Sequence, residues 1–82
     1  MHEAGLMQTA LNMAQDVARS NQADRIQRIC LRVGQESGVV PEALFFAFDV
    51  IRGETMAADA VLQIVSVPGR DIELAQVEVS QR

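Results

Sequence analysis

The spacing of apolar residues changes its period along this chain, and that change sets the order of the secondary structure. The first segment carries two neighbouring apolar rows at helical spacing: Leu6, Ala10, Met13 and Val17, and beside them Met7, Leu11, Ala14 and Ala18. Further on, Ile29, Leu31 and Val33 alternate with polar residues, which is the period of a half-buried strand. These patterns predict a helix over residues 3–19 and a strand that ends at Gly34.

A second helix is predicted over residues 41–52. Its apolar residues fall at helical spacing: Leu44, Ala47, Phe48 and Ile51. Pro41 suits the first turn, because it lacks only an N–H group that would be unpaired there. Gly53 is placed to cap the carboxyl end.

Two strands are predicted to follow, over residues 60–67 and 71–79, with the turn signal Pro68-Gly69 between them. The apolar residues of the last strand change phase along its length, so we expect a β-bulge near Ala75-Gln76. The short link 68–70 predicts that these two strands form an antiparallel hairpin.

The order α-β-α-β-β predicts an α+β fold in two layers, with two helices packed on one face of a three-stranded mixed sheet. Its strand–helix–strand unit requires a right-handed crossover. A chain of 82 residues is long enough for one modest core, so we expect a single domain over residues 1–82.

Charge and composition exclude several classes of partner. The net charge of −4 and pI of about 4.7 argue against nucleic acid or an anionic membrane, because both favour a basic face. The longest apolar run, residues 43–48, is too short for a membrane span or a signal-peptide core. Cys30 is the only cysteine in the sequence, so no internal disulfide can form. We therefore expect a cytoplasmic location.

The amino terminus carries the most specific chemistry. His2 is the only histidine, and the Met1 amine, the His2 backbone nitrogen and a His2 ring nitrogen can chelate one metal ion. The Glu3 backbone nitrogen would complete a plane of four nitrogens, a geometry that suits Ni(II) or Cu(II) and poorly suits tetrahedral zinc. Chains also begin Met-His without binding a metal, so an inert terminus is the alternative.

The three aromatic residues, Phe45, Phe46 and Phe48, all lie on the predicted second helix, where they cannot share one face. We expect Phe48 in the core. The pattern does not decide whether Phe45 and Phe46 lie in the core or on the surface. Cys30 alternates with the buried residues of its strand, so we expect an inert thiol facing the other side of the sheet.

The chain resembles the HypA/HybF family of nickel-insertion proteins, which act in NiFe hydrogenase maturation. The segments that carry the resemblance, in family order, are Met1-His2-Glu3, Leu31-Arg32-Val33-Gly34, Ser37-Gly38-Val39-Val40-Pro41-Glu42-Ala43-Leu44, Phe46-Ala47-Phe48 and Val77-Glu78-Val79. The resemblance implies a nickel site at Met1, His2 and Glu3. It also implies delivery of Ni(II) to the hydrogenase large subunit with the help of a HypB-type GTPase.

Two features depart from the family pattern. The family carries a zinc-binding insertion with two cysteine pairs between the last two strands, whereas this sequence runs through residues 68–70 without one. We therefore expect no zinc, whether the insertion was removed by design or is naturally absent. In addition, Gln35-Glu36 stands where the family usually has Glu and then an apolar residue, which puts any role of that family Glu in doubt.

The leading hypothesis is therefore a nickel-binding metallochaperone domain. The alternative is a metal-free adaptor that keeps the family fold and binds partner proteins. We do not expect an enzyme, because the sequence has no second histidine, no Cys-His pair and no glycine-rich phosphate loop.

Overall fold

The computed structural model of the chain describes residues 3–81. Its elements in chain order are α1 (Glu3–Ser20), β1 (Arg25–Gly34), α2 (Pro41–Ile51), β2 (Val61–Val67) and β3 (Ile72–Ser80). The predicted α+β fold, with two helices and a three-stranded mixed sheet in the order α-β-α-β-β, is confirmed. Among the described residues, no helix is long and apolar enough to cross a membrane.

The sheet has the strand order β2-β1-β3, with β1 in the centre. β1 pairs in parallel with β2 and antiparallel with β3. The predicted hairpin between the last two strands is therefore wrong, although their link is short and they run in opposite directions. β1 carries the most continuous buried run, from Ile29 to Leu31 and again at Val33 and Gly34. A central position removes more of its apolar surface from water than an edge position would.

The β2–β3 link passes across the carboxyl end of β1, over Gly34. A Cβ added at Gly34 would lie 2.4 Å from the carbonyl oxygen of Gly69 and 2.9 Å from the carbonyl carbon of Arg70. Three backbone hydrogen bonds hold the link there: Gly34 N–H to Asp71 O (2.8 Å), Gln35 N–H to Val67 O (2.7 Å) and Glu36 N–H to Gly69 O (2.8 Å). The close approach of the two backbones requires a residue without a side chain at Gly34.

The predicted bulge in the last strand is confirmed. Leu74 pairs with Leu31 and Gln76 pairs with Cys30, so Ala75 is the extra residue of β3. Beyond it, Val77 pairs with Ile29 on the helix-covered face. The bulge therefore keeps the apolar residues on both sides of it turned towards the core.

The core lies between the sheet and the two helices. Its largest fully buried side chains are Phe48, Met7, Leu11, Ile26, Ile29, Leu31 and Leu44. The prediction for Phe48 is confirmed. On α1 the row that contains Met7 and Leu11 is buried, whereas Met13 and Val17 of the other row remain 49% and 40% exposed.

The opposite face of the sheet carries two ion pairs beside the exposed valines of β2, Val61 and Val65. Arg28 and Glu78 form an ion pair at 3.3 Å across β1 and β3, and Arg32 and Glu73 form a second one at 3.3 Å. Cys30 lies between these arginines along β1, as a buried free thiol outside the helix-facing core.

The carboxyl end of α2 is held by Arg52 and not by the predicted glycine cap. Gly53 does not have the left-handed φ of such a cap. Arg52 is the C-cap residue, and its N–H donates to Phe48 O at 3.1 Å. Its guanidinium lies 4.3 Å from the Phe48 ring centroid and donates to the carbonyls of Ala58 and Ala60. A side chain therefore performs the stabilising role expected of a glycine.

Candidate metal centre

The start of α1 is the part of the predicted metal site that the structure describes. Met1 and His2 lie outside the described residues, so their assignment as ligands stays a prediction. Glu3 is the first residue of α1. Amide nitrogens in the first turn of a helix donate no hydrogen bond within that helix, so a metal can bind the Glu3 nitrogen without breaking the helical ladder.

The side chain of Glu3 contacts the other helix. Its Oε2 accepts a hydrogen bond from the Val40 N–H at 3.3 Å. Val40 is the N-cap residue of α2, and its own side chain makes no capping hydrogen bond. Because the amino end of a helix carries partial positive charge, a carboxylate is favourably placed there. The contact joins the starts of the two helices.

The loop that presents Val40 is held by hydrogen bonds among its own residues. Ser37 N–H donates to Gly34 O at 3.0 Å, and Val39 N–H donates to the Ser37 hydroxyl oxygen at 3.2 Å. Gly38 takes a φ of 81°, which a residue without Cβ adopts at little cost. The Glu3 carboxylate therefore meets a donor on an ordered loop.

The described side chains hold no second candidate for a metal centre. Between residues 3 and 81, no group of three or more His, Cys, Asp and Glu side chains is arranged to hold a metal ion.

An apolar groove lies between α1 and β3, close to this end of α1. Its volume is about 720 Å³, and its walls include Leu6, Ala10 and Met13 of α1 with Ile72 and Leu74 of β3. The three α1 residues of this wall belong to the apolar row that the core does not fully bury.

The outer face of α2 carries a second apolar surface. Phe45 is 41% exposed, Phe46 is 72% exposed and Val50 is 66% exposed. The question that the sequence left open is thereby answered, because neither Phe45 nor Phe46 enters the core. We call these three residues the α2 patch.

Sequence reasoning missed the contact between Glu3 and Val40. The two residues are 37 positions apart, and neither periodicity nor spacing relates one to the other. The available signal was indirect: the third position of α2 is Ala43, which cannot accept from the Val40 N–H as the Glu or Gln of a capping box does, so that donor was left for a group from elsewhere.

Comparison with known proteins assigns the family. Residues 1–72 match the family model described as hydrogenase/urease nickel incorporation, metallochaperone, HypA. The hydrogenase maturation factor HypA of Albidiferax ferrireducens is 38% identical over 69 residues, which cover 84% of this chain and 61% of the relative. That of Picosynechococcus is 43% identical over 68 residues, covering 83% and 60%. HypA 2 of Bradyrhizobium diazoefficiens is 35% identical over 85 aligned positions, covering 100% and 75%.

A solved structure shows the same fold. The solution structure of the nickel metallochaperone HypA from Helicobacter pylori superposes with a TM-score of 0.89 at 20% identity, covering 100% of both chains. The family match over residues 1–72, together with the relatives named above, shows that the chain belongs to the HypA family. It spans about three fifths of the length of the first relatives named above. The family is described as a metallochaperone and not as an enzyme, in agreement with the sequence-based expectation.

Proposed function

We propose that this chain is a nickel-binding domain that holds Ni(II) at its amino terminus and delivers it during NiFe hydrogenase maturation. The observation that carries the proposal is the sequence Met1-His2-Glu3, whose last residue begins α1, in a member of a nickel-incorporation family. The ligands are the Met1 amine, the His2 backbone and ring nitrogens, and the Glu3 backbone nitrogen.

The chemistry of these ligands fits the capture and release of a cargo ion. Backbone nitrogens bind a metal only after losing their protons, so nickel uptake releases protons and responds to pH. Glu3 belongs to the first turn of α1, where this deprotonation leaves the helical hydrogen bonds intact. Loading and unloading therefore need no unfolding of α1.

The proposal includes the domain organisation. Residues 1–82 form a single nickel-binding domain, and the zinc-binding insertion of the family is absent near residues 68–70, so no zinc is required. Two observations support this: the family match ends at residue 72, and β2 connects to β3 by a short link that is hydrogen bonded to residues 34–36.

The resemblance supplies the partners. The domain works in the cytoplasm with a HypB-type GTPase, and the hydrogenase large subunit receives the metal. The α2 patch is an exposed surface on which such a protein can bind, because apolar groups of this size are favourable contacts when a partner covers them.

The α2 patch also favours a second candidate function, a metal-free adaptor that binds partner proteins through this surface. The two functions differ in one measurable property. A metallochaperone domain binds nickel through its free amino terminus, and an adaptor does not.

The test is calorimetric titration of Ni(II) into the untagged chain. We expect tight binding by the native chain, and loss of that binding in His2→Ala and in a chain extended at its amino terminus. A chain carrying the same extension at its carboxyl terminus is the matched control and should bind normally. His2→Ala should keep the native melting temperature, because terminal residues contribute little to a core. Equal nickel binding by the amino-terminally extended chain would place the site elsewhere, and no binding by any chain would favour the adaptor.

A further inference from the structure

We propose that the Glu3 carboxylate is a positioning group and not a nickel ligand: it ties the metal-binding end of α1 to the start of α2 through the Val40 N–H. The inference deepens the proposed function and rests on it for its metal part. It assigns two roles to one residue, with the backbone nitrogen serving the metal and the side chain serving the fold.

The contact between Glu3 and Val40 has the geometry of a hydrogen bond. Glu3 Oε2 lies 3.3 Å from the Val40 nitrogen, within hydrogen-bonding distance. Pro41 has no N–H, so Val40 offers the donor at the very start of α2. The carboxylate accepts from the N-cap N–H, the donor that a Glu or Gln at the third helical position binds in a capping box, and here that position is Ala43. It also lies at the positive end of the helix dipole.

The coordination chemistry of nickel leaves the Glu3 carboxylate outside the metal site. Four nitrogens from Met1, His2 and Glu3 fill a square plane around Ni(II), and this leaves no in-plane position for a carboxylate. The side chain of Glu3 is already engaged on the opposite helix. The metal and the Val40 N–H therefore use different atoms of Glu3 and do not compete.

We call the hydrogen bond from the Val40 N–H to the Glu3 carboxylate the tie, and it has a consequence for nickel affinity. The first turn of a helix frays easily, and a frayed terminus must lose conformational freedom when its nitrogens close around a metal. A tie to the ordered loop before α2 removes part of that loss in advance, as preorganisation does for other ligands. Nickel should therefore bind more weakly when the tie is removed, with the same set of ligands.

The experiment compares Glu3→Ala, which removes the acceptor, with Glu3→Gln, which keeps an uncharged one. Glu42→Ala is the matched control, because Glu42 is an exposed acid in the first turn of α2. In metal-free protein, NMR should show the Val40 amide exchanging with solvent about three- to tenfold faster in Glu3→Ala, the scale of one lost hydrogen bond. Glu3→Gln should exchange less fast than Glu3→Ala, and Glu42→Ala should match the native chain.

The nickel measurements complete the test. Glu3→Ala should bind nickel about three- to tenfold more weakly and Glu3→Gln should recover part of that loss, while the absorption spectrum of the bound nickel stays that of the native chain. A changed spectrum in both variants would make the carboxylate a ligand and overturn the proposal, as would unchanged Val40 exchange in Glu3→Ala. If the native chain takes up no nickel, the proposed function fails, and the exchange of Val40 alone then upholds or rejects the tie.

Discussion

Replacement of Gly34 by alanine should strongly destabilise this fold. The new Cβ would lie 2.4 Å from Gly69 O, 2.7 Å from Gly69 C and 2.9 Å from Arg70 C. All three neighbours are backbone atoms, so no side-chain rotation can relieve the contact. Either the end of β1 or the β2–β3 link must move.

The magnitude follows from what such a movement disturbs. Overpacking of a tight contact costs about 1–3 kcal/mol. A shifted link also strains the hydrogen bonds that hold it, each of which contributes about 1 kcal/mol to the net stability. We therefore expect Gly34→Ala to lower the free energy of unfolding by about 2–4 kcal/mol. In a domain of this size that loss corresponds to a fall in melting temperature of roughly 10–30 °C.

The assay is urea denaturation followed by circular dichroism, with Gly53→Ala as the control. A Cβ at Gly53 meets nothing within 4 Å, and the φ of Gly53 is not positive. That variant should be neutral or gain about 0.4–1 kcal/mol, because alanine restricts the unfolded chain. If Gly34→Ala unfolded at the same urea concentration as Gly53→Ala, the close crossing of the two backbones would be refuted.

Three further changes test the core, the end of α2 and the metal chemistry. Leu31 is 1% exposed, so Leu31→Ala should lower the free energy of unfolding, measured by urea titration, by about 2–5 kcal/mol. A loss below about 1 kcal/mol would contradict the position of Leu31 in the core. Arg52→Met keeps the alkyl stem but removes the hydrogen bonds to Ala58 O and Ala60 O. The free energy of unfolding should therefore fall by about 1–3 kcal/mol, and amide exchange over residues 53–60 should accelerate. Unchanged amide exchange there would refute the anchoring role of the guanidinium. Nickel affinity should rise between about pH 6 and about pH 8, the range over which imidazoles and α-amino groups ordinarily lose their protons, because these groups bind the metal only when deprotonated. Calorimetry in buffers of different ionisation heat checks this, and a flat profile would point to carboxylate ligands.

Local patterns in the sequence were sufficient to predict the helices and strands but not the order of the strands in the sheet. Helical spacing located α1 and α2 to within a residue or two, and the phase change between Leu74 and Val77 located the bulge at Ala75. The β2–β3 pairing failed because a short link allows a hairpin but does not require one. The choice depends on how much surface β1 buries, a property of the whole sheet.

The candidate site divides in the same way. The proposed nitrogen ligands are neighbours in sequence, so their chelate could be predicted from the first three residues. The contact from Glu3 to Val40 depends on the packing of α1 beside α2, which brings together residues 37 positions apart. Arg52 escaped prediction for a related reason, because its acceptors, Ala58 and Ala60, lie on the connection that turns back after α2.

The course of the β2–β3 link determines how a larger insertion would be attached. The two ends of the link belong to strands on opposite sides of β1, so they are about two strand spacings, roughly 10 Å, apart. A module inserted at residues 68–70 would therefore stand on two separated stems that straddle the end of β1. Hydrogen bonds connect this region to the loop before α2, and through Val40 to the start of α1. Such a module could not swing about a single hinge, and its base would stand on the side of the domain where α1 begins.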